Sequence, residues 1–203
     1  MQYEYKTISV PPIAGRVWKA IALTVGILSF ASCLKPSEIL QPRIQGSVFI
    51  VKADGDSVRL GLTTVYLVPS AEATDGVRAS VNKHINTLRN VDLNIAHIKK
   101  TSPESIITIG HFMTLGETAT SDLAKVLSLI SAAAIDQTKT DADGEFELLI
   151  PANIDTSIVA YATRKIGEQS EHYFWIVPSS EALKQKPKLF LSNDNQSIEK
   201  STL

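Results

Sequence analysis

The sequence predicts a mainly β fold, an antiparallel sandwich interrupted by an α-helical hairpin. Three observations carry this. Short β-branched and aromatic runs, bounded by Gly, Asp and Pro, occur on both sides of the chain's centre. Between them the strand pattern stops for some 60 residues, and 71–100 carry apolar side chains at spacings of three and four, a helical period. Parallel βαβ alternation is missing from the pattern, which excludes a doubly wound nucleotide-binding fold.

The first strand signal is Ser47-Val-Phe-Ile-Val51, ended by the turn Asp54-Gly55-Asp56. A second run, 58–68, stops at Pro69, with Thr63, Val65 and Leu67 on one face. Residues 71–100 then read as helix, with Val77, Val81, Ile85, Leu88, Val91, Ile95 and Ile98 forming one stripe and Thr74 or Asp75 as its cap. The stretch 101–104 breaks that helix, and Pro103 suits the first turn of another. Gly110 and Gly116 leave 106–117 ambiguous, and Ser121-Asp122 reads as a fresh helix start. Each helix has one apolar face, so a hairpin is the simplest arrangement; removing 71–130 would then leave a folded sandwich.

Strands are expected again from about Ala132. Asp141-Ala-Asp-Gly144 is a turn, followed by alternation of Glu145 and Glu147 outward with Phe146, Leu148 and Ile150 inward. Residues 157–163, 172–177 and 188–191 follow, for about seven strands, a number typical of a sandwich. From Ser192 the chain reads as a polar, frayed tail. The sandwich is thus assigned to 44–69 and 132–192, the helical insertion to 70–131 and the tail to 193–203.

Hydrophobic residues make up 44% and charged residues 20% of the 203-residue chain, values of a globular protein. Twenty Lys+Arg against 21 Asp+Glu provide no basic excess for nucleic acid. One cysteine, Cys33, excludes an internal disulfide and any multi-cysteine metal site. His84, His97, His111 and His172 match no metal motif, and Asp141, Asp143 and Glu145 lack the rest of a calcium loop. Neither a nucleophile elbow nor a phosphate loop occurs, so no catalytic residue, metal or cofactor is assigned. Tyr173 and Trp175 share one strand face opposite Phe174. That face is either core or an exposed aromatic platform for a glycan or peptide, and core is the reading sandwiches favour.

Arg16 and Lys19 precede an uncharged, mostly apolar run, 20–30, then Ala31, Ser32 and Cys33. This is the order of a secretory signal, and the run is short against the ~20 residues that span a membrane. Phe30-Ala31-Ser32-Cys33 resembles the bacterial lipoprotein lipobox, with Phe30 in place of the usual Leu. The resemblance implies a signal peptide at 1–32, cleavage before Cys33, acyl chains on its thiol and a tether at 33–43. It also implies an exported lipoprotein held on a membrane, with Leu34 favouring the outer one. An uncleaved anchor with an incidental cysteine is the competing reading. Glu4 and Pro11-Pro12 make residues 1–15 long for an n-region, which fits either an unusual n-region or a start placed upstream.

Gly46-Ser-Val-Phe, Gly61-Leu-Thr-Thr-Val-Tyr-Leu and Lys139-Thr-Asp-Ala-Asp-Gly-Glu-Phe resemble the carboxypeptidase regulatory-like, prealbumin-like domain. The matching pieces cover about half the chain, and the 60-residue insert departs from the minimal domain. The resemblance implies an Ig/prealbumin-like sandwich acting as an accessory, non-catalytic module. Its partner would be an envelope protein or glycan, in addition to the membrane that lipid on Cys33 would reach.

Overall fold

The computed structural model describes residues 42–198, apart from 103, 168 and 186. Cys33, the signal segment and nearly all of the tether lie outside the described residues, as does Pro103.

Two sheets form. In the first, β1 (Arg43–Val51) pairs antiparallel with β2 (Ser57–Arg59) and β5 (Glu145–Leu149), and parallel with β8 (Leu189–Leu191). Gly46 and Ser47 pair with both β5 and β8, so those two strands lie on opposite edges of β1. Gly46 stands where a Cβ would press on the Phe146 ring and the Leu189 carbonyl. The second sheet is wholly antiparallel, in the order β4 (Asp136–Lys139), β3 (Thr64–Pro69), β6 (Thr156–Ile166), β7 (Gln169–Pro178).

The sheets share one core, which is what makes the fold sandwich-like. Ile44, Val48, Phe146, Leu148, Leu189 and Leu191 from the first meet Val65, Leu67, Ile158, Ala160, Tyr173 and Trp175 from the second. Alternation selects these residues: in β5, Phe146 and Leu148 are buried while Glu145 and Glu147 are exposed, Glu145 reaching Lys188 and Glu147 reaching Arg43.

Between β3 and β4 run two long helices, α1 (Asp75–Thr101) and α2 (Ile106–Ala133), packed on each other. Thr74 caps α1, its Oγ1 accepting from the Val77 N–H. Val81 and Ile85 of α1, with Leu123 and Ile130 of α2, pack against Val68, Val159, Phe174 and Ile176. Those four belong to the second sheet, on the side away from the first. The middle of the second sheet is therefore buried on both faces, and the layers run sheet, sheet, helix pair. The described class is mixed α and β rather than mainly β, because α1 and α2, with 27 and 28 residues, hold as much chain as the strands do.

Several local expectations are corrected. The run 58–68 is two strands, separated by a turn in which Leu62 takes φ 61° and is 81% exposed. Eight strands form among the described residues instead of about seven. Residues 106–117 are helical, and Ser121 and Asp122 lie inside α2 instead of starting a helix. Threonine hydroxyls follow the ladder there, Thr114 donating to the Gly110 carbonyl and Thr118 to that of Thr114. Helix also persists through Ala133, where strand was expected from Ala132.

The tail is not frayed as far as Ile198. Asn193 accepts from the Val51 N–H at 2.9 Å and donates to the Val51 carbonyl at 3.0 Å. The Ser197 N–H donates to the Phe174 carbonyl, Ser197 Oγ accepts from the Ile176 N–H, and Ile198 is buried. Residues 193–197 thus cover the free edge of β7.

The layers also have a direction. The chain enters beside α3 (Ser179–Ala182), since Arg43 and Ile44 border Ala182 and Leu183 just beyond the end of β7. The turn between α1 and α2 lies at the opposite end of the β6–β7 pair, where Ile95, Lys99 and Met113 border Lys165 and Gly167. At 1.5 Å per residue α1 is about 40 Å long, and Lys99, near its end, borders the β6–β7 turn at Gly167.

Candidate functional site

Tyr173 and Trp175 belong to the inner core. Trp175 is 0% exposed and its Nε1 donates to the Ser192 carbonyl; Tyr173 is 6% exposed and its ring stacks on Trp175 at 6.0 Å. The exposed aromatic platform considered for this pair is corrected: β7 turns its odd-numbered residues toward the first sheet, which covers them. Asp141 Oδ1 accepts from the N–H groups of Asp143 and Glu145, both at 2.9 Å, so this carboxylate organises a turn around Gly144. His84, His97 and His111 sit on the helices and His172 on β7; among the described residues no group of three or more His, Cys, Asp or Glu could hold a metal ion.

A cleft of about 350 Å³ opens where α1 passes the start of β7. Arg89 and Asp92 face it from α1, Ser170, Glu171 and His172 from β7, and Gln196 from the segment covering β7's edge. The α1 stripe of Val81 and Ile85 presses on the sheet, which leaves Arg89 and Asp92 at the rim. Asp92 Oδ2 accepts from the Ser170 N–H at 3.2 Å and ties helix to strand.

His172 belongs to the outer face of β7. Its Nδ1 is 2.8 Å from the Tyr161 hydroxyl, and the two rings stack at 6.2 Å. Burial lowers the His172 pKa, the Asp92 charge opposes that and Arg89 reinforces it, so the imidazole is neutral at neutral pH. Burial also pushes the Tyr161 phenol up to about 12. Tyr173 is raised as well, by burial and then by the hydrogen bond it donates to Glu171, whose carboxylate also lies 3.9 Å from Arg164. Both phenols therefore stay protonated and serve as fixed hydrogen-bonding groups.

No protein-family model, curated protein or solved structure matches this chain.

A second surface is the exposed side of α2. Ile106 and Ile107, in its first turn, are 76% and 92% exposed. From Ser105 to Ser121 the only charged residue is Glu117. Gly116 lets this helix lie close to α1, where a Cβ would stand 3.2 Å from Val91. Among the described residues no helix is long and apolar enough to cross a membrane.

The cleft was not read from the sequence. Its parts come from three separate stretches, and Gln196 sits in the segment expected to fray. His172 was the one signal present, and it carried no motif.

Proposed function

We propose that this is a non-catalytic, lipid-anchored envelope protein, an interaction module with an Ig/prealbumin-like sandwich in which residues 70–131 are an insertion. Cys33 would carry the acyl chains, and the exported domain would sit on an outer membrane. Acyl chains contribute about 0.8 kcal/mol per buried CH₂, enough for a multiply acylated cysteine to hold a soluble domain. The order of charge, apolar run and small residues before Cys33 supports the anchor.

The observation that carries the interaction reading is the uncharged, exposed side of α2 around Ile106 and Ile107. Two neighbouring isoleucines left this open form an apolar spot of the kind that partners cover. The partner we propose is a second envelope protein with an apolar face, because residues 105–121 carry one charged side chain, Glu117, beside the exposed isoleucines. The α1–α2 turn lies at the end of the β6–β7 pair away from Arg43 and Ile44.

Replacing Cys33 by Ser should abolish incorporation of labelled palmitate and move the protein out of the membrane fraction; retention of both overturns the anchor. A photo-crosslinker at Ile107 should give one discrete protein adduct, lost in an Ile106→Asp variant. Adducts to lipid alone overturn the interaction surface.

A further inference from the structure

We propose that the cleft between α1 and the start of β7 binds a small, uncharged ligand carrying several hydroxyl groups, of the sugar class. This stands apart from the α2 surface and from the lipid anchor, and concerns other residues.

The first support is an orphan acceptor. Gln196 lines the cleft, and its Oε1, turned inward beneath the cleft wall, is buried and accepts no hydrogen bond from the protein. A buried polar atom left in this way costs about 1–3 kcal/mol, so a donor is wanted at that spot. Asp92 and Glu171 add carboxylate oxygens, which only accept. The cleft is thus rich in acceptors and calls for a ligand that brings O–H or N–H groups.

Charge selects among such ligands. Arg89 faces Asp92 across one side, and Arg164 stands beside Glu171 on the other. Of the cleft's own charges Arg89 offsets one carboxylate, and Arg164, outside the lining, offsets Glu171 at 3.9 Å. An ammonium only donates and would meet Arg89, whereas a hydroxyl can donate to Gln196 or a carboxylate and accept from Arg89. The volume of about 350 Å³ falls at the lower end for ligand pockets, the size for one or two sugar rings and too small for a folded partner. Recognition would be by hydrogen bonds at the ring edge, since Tyr173, although it lines the cleft, is 6% exposed with its ring stacked on Trp175.

The test uses the full chain in detergent and a panel of glucose, galactose, mannose and N-acetylglucosamine, with lysine, acetate and sulfate as charged controls. Saturation-transfer NMR and thermal shift should detect at least one sugar and none of the controls. Gln196→Leu should weaken that binding tenfold or more, and without sugar it should melt at or above the parent temperature because it removes the orphan. Asp92→Asn keeps an acceptor for the Ser170 N–H and should weaken binding several-fold with the melting temperature retained. Failure of every sugar to bind at millimolar concentration overturns the proposal, as does binding unchanged in both variants or preference for a charged control. A lowered melting temperature for ligand-free Gln196→Leu would show the carbonyl satisfied by water alone, and overturns it too.

Discussion

Phe174 separates two accounts of how the helices relate to the sheets. It is fully buried on the outer face of β7, in one cluster with Val81 and Ile85 of α1 and Leu123 of α2. Replacing it by alanine removes a ring from between two layers and leaves a cavity, at a cost of about 3–5 kcal/mol. If α1 and α2 were an appendage over a self-sufficient sandwich, residue 174 would behave as a surface position, and the change would stay within about 0.5 kcal/mol. For a unit of this size each kcal/mol lowers Tm by about 2–4 °C, so Phe174→Ala should melt roughly 6–20 °C early. Urea unfolding followed by far-ultraviolet circular dichroism gives the same quantity, with Ile107→Ala on the exposed side of α2 as a control near zero. A loss under about 1 kcal/mol at unchanged slope would refute the reasoning. The same packing revises the expectation that deleting 71–130 leaves a folded sandwich. That deletion uncovers Val68, Val159, Phe174 and Ile176 together and should yield a product without cooperative unfolding.

Two further predictions concern other parts of the fold. Gly144→Ala should destabilise more than Gly55→Ala in matched denaturation curves. Both residues have positive φ, which costs an alanine about 1–2 kcal/mol, but only at Gly144 would the new Cβ also lie 2.5 Å from the Val48 carbonyl. Stability should fall as pH drops below about 6.5, because the unfolded His172 takes up a proton there while burial holds the folded imidazole neutral. The contribution is full above that pH and is lost until the folded imidazole itself titrates. A His172→Gln variant should show a flatter stability profile between pH 7.5 and 5.

The inner faces of the strands were legible because one rule governed them. Glu145 and Glu147 alternate with Phe146, Leu148 and Ile150, and period two has a single interpretation on a half-buried strand. The helix α1 was legible for the corresponding reason, a stripe ended by Ser102. The first half of α2 was not. Two glycines and several threonines lower its propensity, the threonine hydroxyls bond carbonyls one turn back without strengthening the ladder, and its helicity rests on contact with α1. Burial of Phe174 and Ile176 was obscure because a strand covered on both faces shows no alternation. The tail misled by composition. Asn193, Asn195 and Ser197 look like solvent residues, yet they bond the chain of Val51, Phe190 and Ile176, partners that only the fold brings near. The cleft shares that opacity, since it exists only once α1, β7 and residues near 196 have come together.

The parallel pairing of β1 with β8 has a mechanical consequence. Gly46, Ser47 and Val48 run alongside Leu189, Phe190 and Leu191 in the same direction, so the chain enters at one end of this pair and leaves at the other. Tension applied between the two termini therefore acts along the strands and loads their hydrogen bonds in shear, all at once. An antiparallel terminal pair would peel open one bond at a time. Asn193, bonded at both atoms to Val51, extends the sheared contact past the last strand pair.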